Sequence, residues 1–130
     1  MRADVQRWFA RSTFAAPAFT VDQLIQVKGS TRVSVVIPAL DEQDTVAAVV
    51  RSCQVAGLVD EIVVVDAGST DATAQEAVAA GARVIREQEI LPRLGRVRGK
   101  GEALWKSLFV TTGDVVVFVD ADIRDPDSRF

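Results

Sequence analysis

Four short, largely apolar runs recur along this chain, and segments with a helical pattern separate them. The runs are rich in Val, Ile and Ala and lie at positions 33–37, 61–65, 82–85 and 115–119. Runs of this length and composition indicate strands. The segments between them are rich in Ala or carry apolar residues at helical spacing, at positions 45–54, 72–80 and 101–112. The chain is therefore predicted to alternate strand and helix from position 33 onward.

Strands that are apolar along their whole length need cover on both faces, which favours a parallel sheet between two layers of helices. Right-handed crossovers between such strands give a doubly wound, Rossmann-like α/β fold, with a mostly parallel sheet and helices on both faces. Residues 1–30 are weakly patterned and are expected to form an N-terminal arm, whereas residues 31–130 form the predicted domain.

Local signals suggest where the elements begin and end. Pro38 is expected to end the first strand, and Asp41 or Asp44 to cap the first helix. Trp105 is expected in the core, as part of the apolar face of the last helix. The other members of that face are Leu104, Leu108 and Phe109. The helices are expected to stop at glycines, which are Gly57, Gly81 and Gly113.

Composition narrows the classes of function. The chain is 48% hydrophobic and 25% charged, as globular domains are, and its net charge of −3 gives no reason to expect nucleic acid as a partner. No apolar run reaches the length of a membrane span, so no membrane partner is expected. The absence of histidine removes every histidine base and metal ligand from this chain. The lone Cys53 is expected to be a small buried apolar residue and suits a reducing compartment, which makes the cytoplasm the expected location.

Polar residues follow three of the four predicted strands, at positions 38–42, 66–71 and 120–122. Ligands of open parallel sheets bind outside the carboxyl ends of the strands, so the fold is expected to bring these segments to one crevice. The convergence of the three segments predicts a binding site there, although each segment alone would also fit a surface turn or a helix cap.

Asp120 and Asp122 come directly after the fourth apolar run. One residue separates them, so in extended backbone both carboxylates point to the same side. Such a pair suits Mg²⁺ or Mn²⁺ bound to a nucleotide diphosphate. The alternative is a helix cap or a surface turn, where Asp is also common.

Asp66 and Glu42 each have a local and a functional interpretation. Asp66 can accept hydrogen bonds from a base or a ribose, while Ser69 or Asp71 caps the helix that follows. Glu42 either contacts ribose hydroxyls or is stabilised by the amino end of the first helix, and the sequence favours neither.

A basic, glycine-rich segment precedes the last helix. It contains Arg93, Arg96, Arg98 and Lys100, and basic groups before a helix amino end suit phosphate binding. The alternative is a solvated basic loop. A phosphate-binding P-loop is excluded because its spacing of glycines and lysine is absent.

Three motifs together resemble the nucleotide-sugar glycosyltransferases of the GT-A fold. They are Val-Ser-Val-Val-Ile-Pro-Ala-Leu-Asp-Glu from position 33, Ile-Val-Val-Val-Asp-Ala-Gly-Ser-Thr-Asp from position 62 and Asp-Ala-Asp from position 120. The run Gly-Lys-Gly-Glu-Ala-Leu-Trp from position 99 narrows the resemblance to the glucosyl-3-phosphoglycerate synthase family of retaining enzymes. The resemblance covers residues 20–130.

The resemblance implies UDP-glucose as donor, 3-phospho-D-glycerate as acceptor and Mg²⁺ as cofactor, with Mn²⁺ or Co²⁺ as substitutes. It implies Asp122 as the more direct metal ligand, beside Asp120. It also implies Glu42 on the ribose and Ser69 on the uracil. The donor site as a whole is then expected to comprise Pro38, Ala39, Leu40, Glu42, Asp66, Ser69, Gly99, Lys100, Asp120 and Ala121.

Members of that family continue well beyond the Asp-x-Asp motif, into a half that supplies a metal-binding histidine, the acceptor pocket and much of a homodimer interface. The chain is thus expected to be a fragment or a shortened product that carries the donor half, with its fourth strand exposed. Two alternatives stay open. One is another GT-A transferase, such as a polyprenyl-phosphate sugar transferase, and the other is a nucleotide-binding fragment without catalysis.

Overall fold

A computed structural model describes residues 2–13, 19–55, 57–95 and 99–127. Its single four-stranded sheet has the spatial order β3-β2-β1-β4, and every neighbouring pair of strands is parallel. The strands are β1 (Val33–Ala39), β2 (Glu61–Asp66), β3 (Arg83–Arg86) and β4 (Val115–Phe118). The predicted parallel sheet is therefore confirmed.

Five α-helices lie in the described ranges, together with 3₁₀ helices at Glu87–Glu89 and Pro92–Leu94. The α-helices are α1 (Ala3–Ser12), α2 (Val21–Lys28), α3 (Val46–Cys53), α4 (Thr73–Ala79) and α5 (Lys100–Ser107). None of the helices in these ranges is long and apolar enough to cross a membrane.

The sheet has a separate apolar core on each face, as the continuously apolar strands predict. On one face, Ile37 and Val64 belong to a buried cluster with Val49 and other residues of α3 and α4. On the other face, Val36 and Val63 pack in a second cluster that includes Ala103 of α5 and Ile90. Successive strand residues point to opposite faces, so β1, β2 and β3 each contribute to both cores.

Pro38 does not end β1, contrary to expectation. It pairs in register with Val65 of β2, and the strand continues to Ala39. On the other side of β1 the ladder with β4 already stops at Val36 and Phe118. Pro38 therefore lies past the end of that second ladder, where a strand tolerates the missing N–H.

The prediction of which face of α5 is buried was wrong. Leu108 and Phe109 are 56% and 62% exposed, and Trp105 is 37% exposed, whereas Ala103 and Ser107 are buried. The helix also ends at Ser107 instead of Thr112. The small side chains of Ala103 and Ser107 let the helix approach the sheet closely, which the larger apolar residues would prevent.

Lys106 completes the buried face of α5 because two acidic side chains neutralise it. Its Nζ lies 2.9 Å from the Glu102 carboxylate and 3.3 Å from that of Glu87, and all three side chains are at least nine-tenths buried. Hydrogen bonds to Glu102 and Glu87 raise the pKa of Lys106. The charged triad joins α5 to the 3₁₀ helix that follows β3.

The expected N-terminal arm contains two helices, which the weak pattern did not predict. α1 has no buried residue, and its Trp8 and Phe9 are exposed. α2 begins with a capping box between Thr20 and Gln23. Its last residue is tied to the domain by an ion pair of 3.0 Å between Lys28 and Asp60. Phe14, another aromatic residue of the arm, lies outside the described residues.

Two of the expected helix boundaries were also wrong. α3 begins after Thr45, and neither Asp41 nor Asp44 caps it. Gly57 comes too late to end α3, whose last residue is Cys53; the glycine instead approaches Ile25 of α2 closely. Gly81 does stop α4 as predicted, with φ of +98°, directly after the C-cap residue Ala80.

β4 forms one edge of the sheet, and its side chains are poorly covered. Val115, Val117 and Phe118 are each more than two-fifths exposed. The expectation of an exposed fourth strand is thus confirmed within the described residues.

Candidate functional site

A cavity of about 260 Å³ opens at the carboxyl edge of the sheet. Its size lies just below the roughly 300–1,000 Å³ that is usual for ligand pockets. All of the predicted donor and metal residues line it, apart from Asp66 and Ser69. The lining residues are Pro38, Ala39, Leu40, Glu42, Ala67, Gly99, Lys100, Ala103, Asp120, Ala121 and Asp122.

The sheet itself places the Asp-x-Asp segment in this cavity. The Val119 amide donates to the carbonyl of Val36 at 3.0 Å, which continues the β4 direction one residue past the strand. Ala121 is 4% exposed and belongs to the core on the α3 side of the sheet. Because this alanine is anchored, the exposed Asp120 and Asp122 on either side of it both line the cavity.

Lys100 and Asp120 form an ion pair across the cavity, between the amino end of α5 and the segment after β4. Both side chains are more than half exposed, so the pair is accessible to a ligand. Lys100 is the first residue of α5, where the helix dipole favours negative charge. A cation, a helix amino end and two carboxylates therefore line one cavity.

Asp66 and Ser69 line a different cavity, of about 280 Å³, together with Arg86 and Gln88. The buried Asp66 accepts hydrogen bonds from the Ser69 amide at 3.0 Å and the Ser69 hydroxyl at 2.5 Å. One carboxylate oxygen of Asp66 thus holds the loop after β2 together. The structure does not bring this pair into the cavity that the other predicted residues share.

Glu42 is half-buried in the lining of the first cavity. Its carboxylate accepts a hydrogen bond from Thr45 at 3.2 Å, and its backbone amide donates to Thr73 at 2.7 Å. The backbone contact fixes where the Glu42 side chain leaves the loop. Among the described residues, Thr45 is the one side chain that restrains the carboxylate.

The donor set for a metal ion is partial. Among the residues that the structure describes, no group of three or more His, Cys, Asp or Glu side chains is placed to hold a metal. Asp122 has no hydrogen-bond or ion-pair partner among them, and Asp120 has only Lys100. Mg²⁺ and related ions are commonly held by one or two carboxylates while water and substrate phosphates complete the shell, so these two residues fit such an ion.

The structure adds two residues to the site that the sequence did not indicate. Ala67 follows Asp66 directly, and Ala103 lies one helical turn after Gly99. Ala103 could have been predicted from the helical period of α5, because it lies one turn after Gly99. Of the two basic side chains of the predicted loop that the structure describes, Lys100 lines the cavity. Arg93 does not line the cavity, and Arg96 and Arg98 lie outside the described residues.

Comparison with known proteins places this geometry in a family. Residues 34–130 match the family model of glycosyl transferase family 2. The chain is 48% identical over 126 residues to glucosyl-3-phosphoglycerate synthase of Mycolicibacterium smegmatis, an alignment that covers 95% of this chain and 42% of that protein.

Solved structures agree. The crystal structure of glucosyl-3-phosphoglycerate synthase from Mycobacterium tuberculosis with Mn²⁺, UDP and glucosyl-3-phosphoglycerate superposes with a TM-score of 0.84 at 46% identity. The match covers 89% of this chain and 42% of that one. The same enzyme with Mn²⁺, UDP-glucose and phosphoglyceric acid gives the same TM-score and identity.

The chain spans about two-fifths of the length of these relatives. The matched part contains the whole parallel sheet, the cavity at its carboxyl edge and the Asp-x-Asp segment. The family model, the fold and the superposition together show that the chain belongs to glycosyl transferase family 2.

Proposed function

We propose that this chain binds UDP-glucose together with a divalent cation, as the donor-binding part of an enzyme that transfers glucose to 3-phospho-D-glycerate. The observation that carries the proposal is the single cavity that joins Asp120, Asp122 and Lys100 to the loop after β1. The similarity to glucosyl-3-phosphoglycerate synthases supports this choice of donor and acceptor.

In this proposal the loop after β1 holds the uridine. Pro38, Ala39 and Leu40 provide the apolar wall, and the carboxylate of Glu42 accepts from the ribose hydroxyls. Ser69 is assigned to the uracil on the family resemblance, and its hydroxyl accepts a hydrogen bond of 2.9 Å from the Asp41 amide of the loop after β1. Asp66 then supports Ser69 and closes the loop that carries it.

Asp122 would hold the cation directly, and Asp120 would assist it. A bound divalent ion supplies positive charge next to the diphosphate and so stabilises UDP as a leaving group. Lys100 and the amino end of α5 lie across the same cavity and favour the phosphates electrostatically. Gly99 precedes α5 without a side chain, which leaves room for the phosphates to approach the backbone.

The remaining assignments are also proposals. Residues 31–130 act as the donor-binding unit and residues 1–30 as an arm. Mg²⁺ serves as the ion, and Mn²⁺ or Co²⁺ substitutes for it. The enzyme works in the cytoplasm, which the single cysteine suits, and as a homodimer.

Titration calorimetry with UDP-glucose tests the donor site. We expect binding with Mg²⁺ or Mn²⁺ and a loss of about tenfold or more with a chelator, since the metal would contact both the diphosphate and Asp122. Asp122→Asn is expected to abolish the metal dependence. The matched control is Asp125→Asn, because Asp125 is also exposed and Asn tolerates its φ of +49°. Equal affinity with and without metal would contradict the assignment of Asp122.

A second assay separates the acceptor classes. Because the chain spans about two-fifths of its relatives and is proposed to bind the donor, a full-length version of the enzyme is incubated with UDP-glucose and either 3-phosphoglycerate or a polyprenyl phosphate, and the glucosylated product is measured. Product with 3-phosphoglycerate alone supports the proposal, and product with the polyprenyl phosphate alone supports the alternative transferase. Binding of donor without any product supports a nucleotide-binding unit that does not catalyse transfer by itself.

A further inference from the structure

The loops after β1 and β2 are joined by side chains that bind backbone amides of the opposite loop. Three successive amides of the first loop, at positions 41, 42 and 43, donate to side chains of the second. Their acceptors are the Ser69 hydroxyl at 2.9 Å, the Thr73 hydroxyl at 2.7 Å and the Asp71 carboxylate at 3.2 Å. None of these bonds caps the helix of its own loop.

Two backbone amides of the second loop donate in the reverse direction. The amide of Thr70 donates to the carboxylate of Asp41 at 2.7 Å, and the amide of Ala72 donates to the side chain of Gln43 at 3.1 Å. Together these five hydrogen bonds form a reciprocal connection, which we call the loop clamp. All five join residues that are 28 to 31 positions apart in sequence.

Asp41 is the residue of the clamp whose backbone most needs support. Its φ is +55°, in the left-handed region that costs an ordinary residue free energy and that Asp and Asn tolerate better than most. Its amide and its carboxylate are both bound by the second loop. The clamp therefore holds a backbone conformation that the sequence alone would populate weakly.

The backbone conformation of Asp41 sets the direction in which two neighbouring residues of the candidate site point. Leu40 and Glu42 flank Asp41, and both line the cavity, whereas Asp41 does not. We propose that Asp41 is a positioning residue, which sets Leu40 and Glu42 in their nucleotide-binding arrangement through the loop clamp before the nucleotide arrives. The inference rests on the proposed function, because it concerns the same nucleotide site.

The chemistry of Asp41 distinguishes positioning from direct contact. Asn keeps an oxygen acceptor and tolerates positive φ but carries no charge. If Asp41 acts only through the clamp, Asp41→Asn retains function. If its charge acted on a metal or a phosphate, the same substitution would alter binding. Asp41→Ala removes the acceptor and puts an unsuitable residue in the left-handed region.

The test is calorimetry of UDP binding in the presence of Mn²⁺ for the wild type, Asp41→Ala, Asp41→Asn and Asp44→Ala. Asp44 is an exposed carboxylate of the same loop, without a hydrogen bond or ion pair within the described part of the chain. Apparent affinity falls with the fraction of competent loop, so we expect Asp41→Ala to bind UDP about tenfold more weakly. Asp41→Asn and Asp44→Ala should stay within about twofold of the wild type on the same argument.

Amide exchange supplies the structural readout. In Asp41→Ala the Thr70 amide should exchange faster, while amides of the buried β2 strand stay protected and report an intact fold. If Asp41→Ala binds UDP with wild-type affinity, the positioning role is overturned but the proposed function is not. A loss in Asp41→Asn equal to that in Asp41→Ala would also overturn the positioning role, because charge would then matter more than the clamp. A wild-type chain that binds no UDP would overturn the proposed function, and the positioning role with it.

Discussion

The carboxylate of Glu61 accepts a hydrogen bond of 2.6 Å from the hydroxyl of Ser34, its partner in register on the neighbouring strand. The same carboxylate accepts from the Thr112 amide at 2.5 Å and from Arg83 at 3.1 Å. One side chain thereby connects β1, β2, β3 and the segment that leads into β4. It does so at the amino edge of the sheet, opposite the candidate site.

These contacts make stability depend on pH. Partial burial raises the pKa of Glu61, but hydrogen bonds from Ser34, Thr112 and Arg83 outweigh that effect and lower the pKa from 4.5 to about 2. A carboxyl group with a lowered folded-state pKa stabilises the fold above its unfolded pKa. That contribution is lost as the pH falls from about 4.5 towards 2.

We predict that Glu61→Gln lowers the free energy of unfolding by about 1–3 kcal/mol at neutral pH, since hydrogen bonds to a charged acceptor are lost. Urea unfolding at several pH values measures the effect. The difference between variant and wild type should shrink as the pH drops below about 4.5. The control is Glu76→Gln, at an exposed position of α4. A difference that stays constant down to pH 3 would rule out this role for the Glu61 charge.

Lys106 gives a second prediction. Lys106→Met leaves the Glu87 and Glu102 carboxylates buried next to each other without their cation. Removing one partner of a buried ion pair is strongly destabilising, because the remaining charge stays buried without compensation. We therefore expect the midpoint of thermal unfolding to fall by about 10 °C or more. Arg51→Met is the matched control, because Arg51 is an exposed helix cation. Similar midpoints for the two variants would mean that the triad contributes little.

Gly113 gives a third prediction, based on space. A Cβ atom at Gly113 would lie 2.7 Å from the Ser34 amide nitrogen and 2.8 Å from the carbonyl oxygen of Val115. These are backbone atoms of the sheet and cannot move freely, so Gly113→Ala should cost about 1–3 kcal/mol, as overpacking does.

The same substitution at Gly101 should have the opposite sign. Nothing lies within 4 Å of a Cβ at Gly101, which is the second residue of α5. Ala is favoured over Gly in helices by up to about 1 kcal/mol, so Gly101→Ala should be neutral or stabilising. Chemical unfolding of the two variants compares them directly, and a stable Gly113→Ala variant would contradict the tight packing at that edge.

Lys100 gives a fourth prediction, which concerns ligands instead of stability. In the free protein it pairs with Asp120, so it competes with a metal ion for that carboxylate. We expect Lys100→Met to bind Mn²⁺ alone about threefold more tightly, because a nearby cation is removed. The same variant should bind UDP in the presence of Mn²⁺ about tenfold more weakly, because a charged phosphate contact is lost.

Calorimetry with Mn²⁺ alone and with UDP plus Mn²⁺ separates these two effects. Lys28→Met is the control, since Lys28 pairs with Asp60 at the other edge of the sheet. Changes of the same sign in both titrations would show that Lys100 does not act on the metal and the phosphate separately.

The strands and the place of the site could be predicted from the sequence because both follow from local patterns. The runs that contain Val36 and Val63 are apolar at every position from Val35 to Ile37 and from Ile62 to Val65, and only a sheet covered on both faces buries such strands. Parallel strands then put their carboxyl ends at one edge. Asp122 and Glu42 therefore meet at one cavity although they are far apart in sequence.

What the sequence did not reveal depends on partners that are distant along the chain. A lysine at position 106 looks like a solvent-facing residue until Glu87 is known to lie beside it. The carboxylate of Asp41 looked like a cap because capping is the commonest local role of Asp before a helix. Instead Asp41 binds the amide of Thr70 in the other loop, a contact that only the assembled sheet creates.

The strand order also has a consequence for how the chain folds. β1 pairs with β2 through residues close in sequence, such as Ser34 and Glu61, but it pairs with β4 only through partners such as Val33 and Val115. Closing the longer loop costs more chain entropy, which slows contacts of this kind. The β1–β2–β3 unit should therefore assemble first, and β4 should dock late. Since β4 leads into both aspartates of the candidate metal site, that site should be among the last parts of the protein to form and among the first to open.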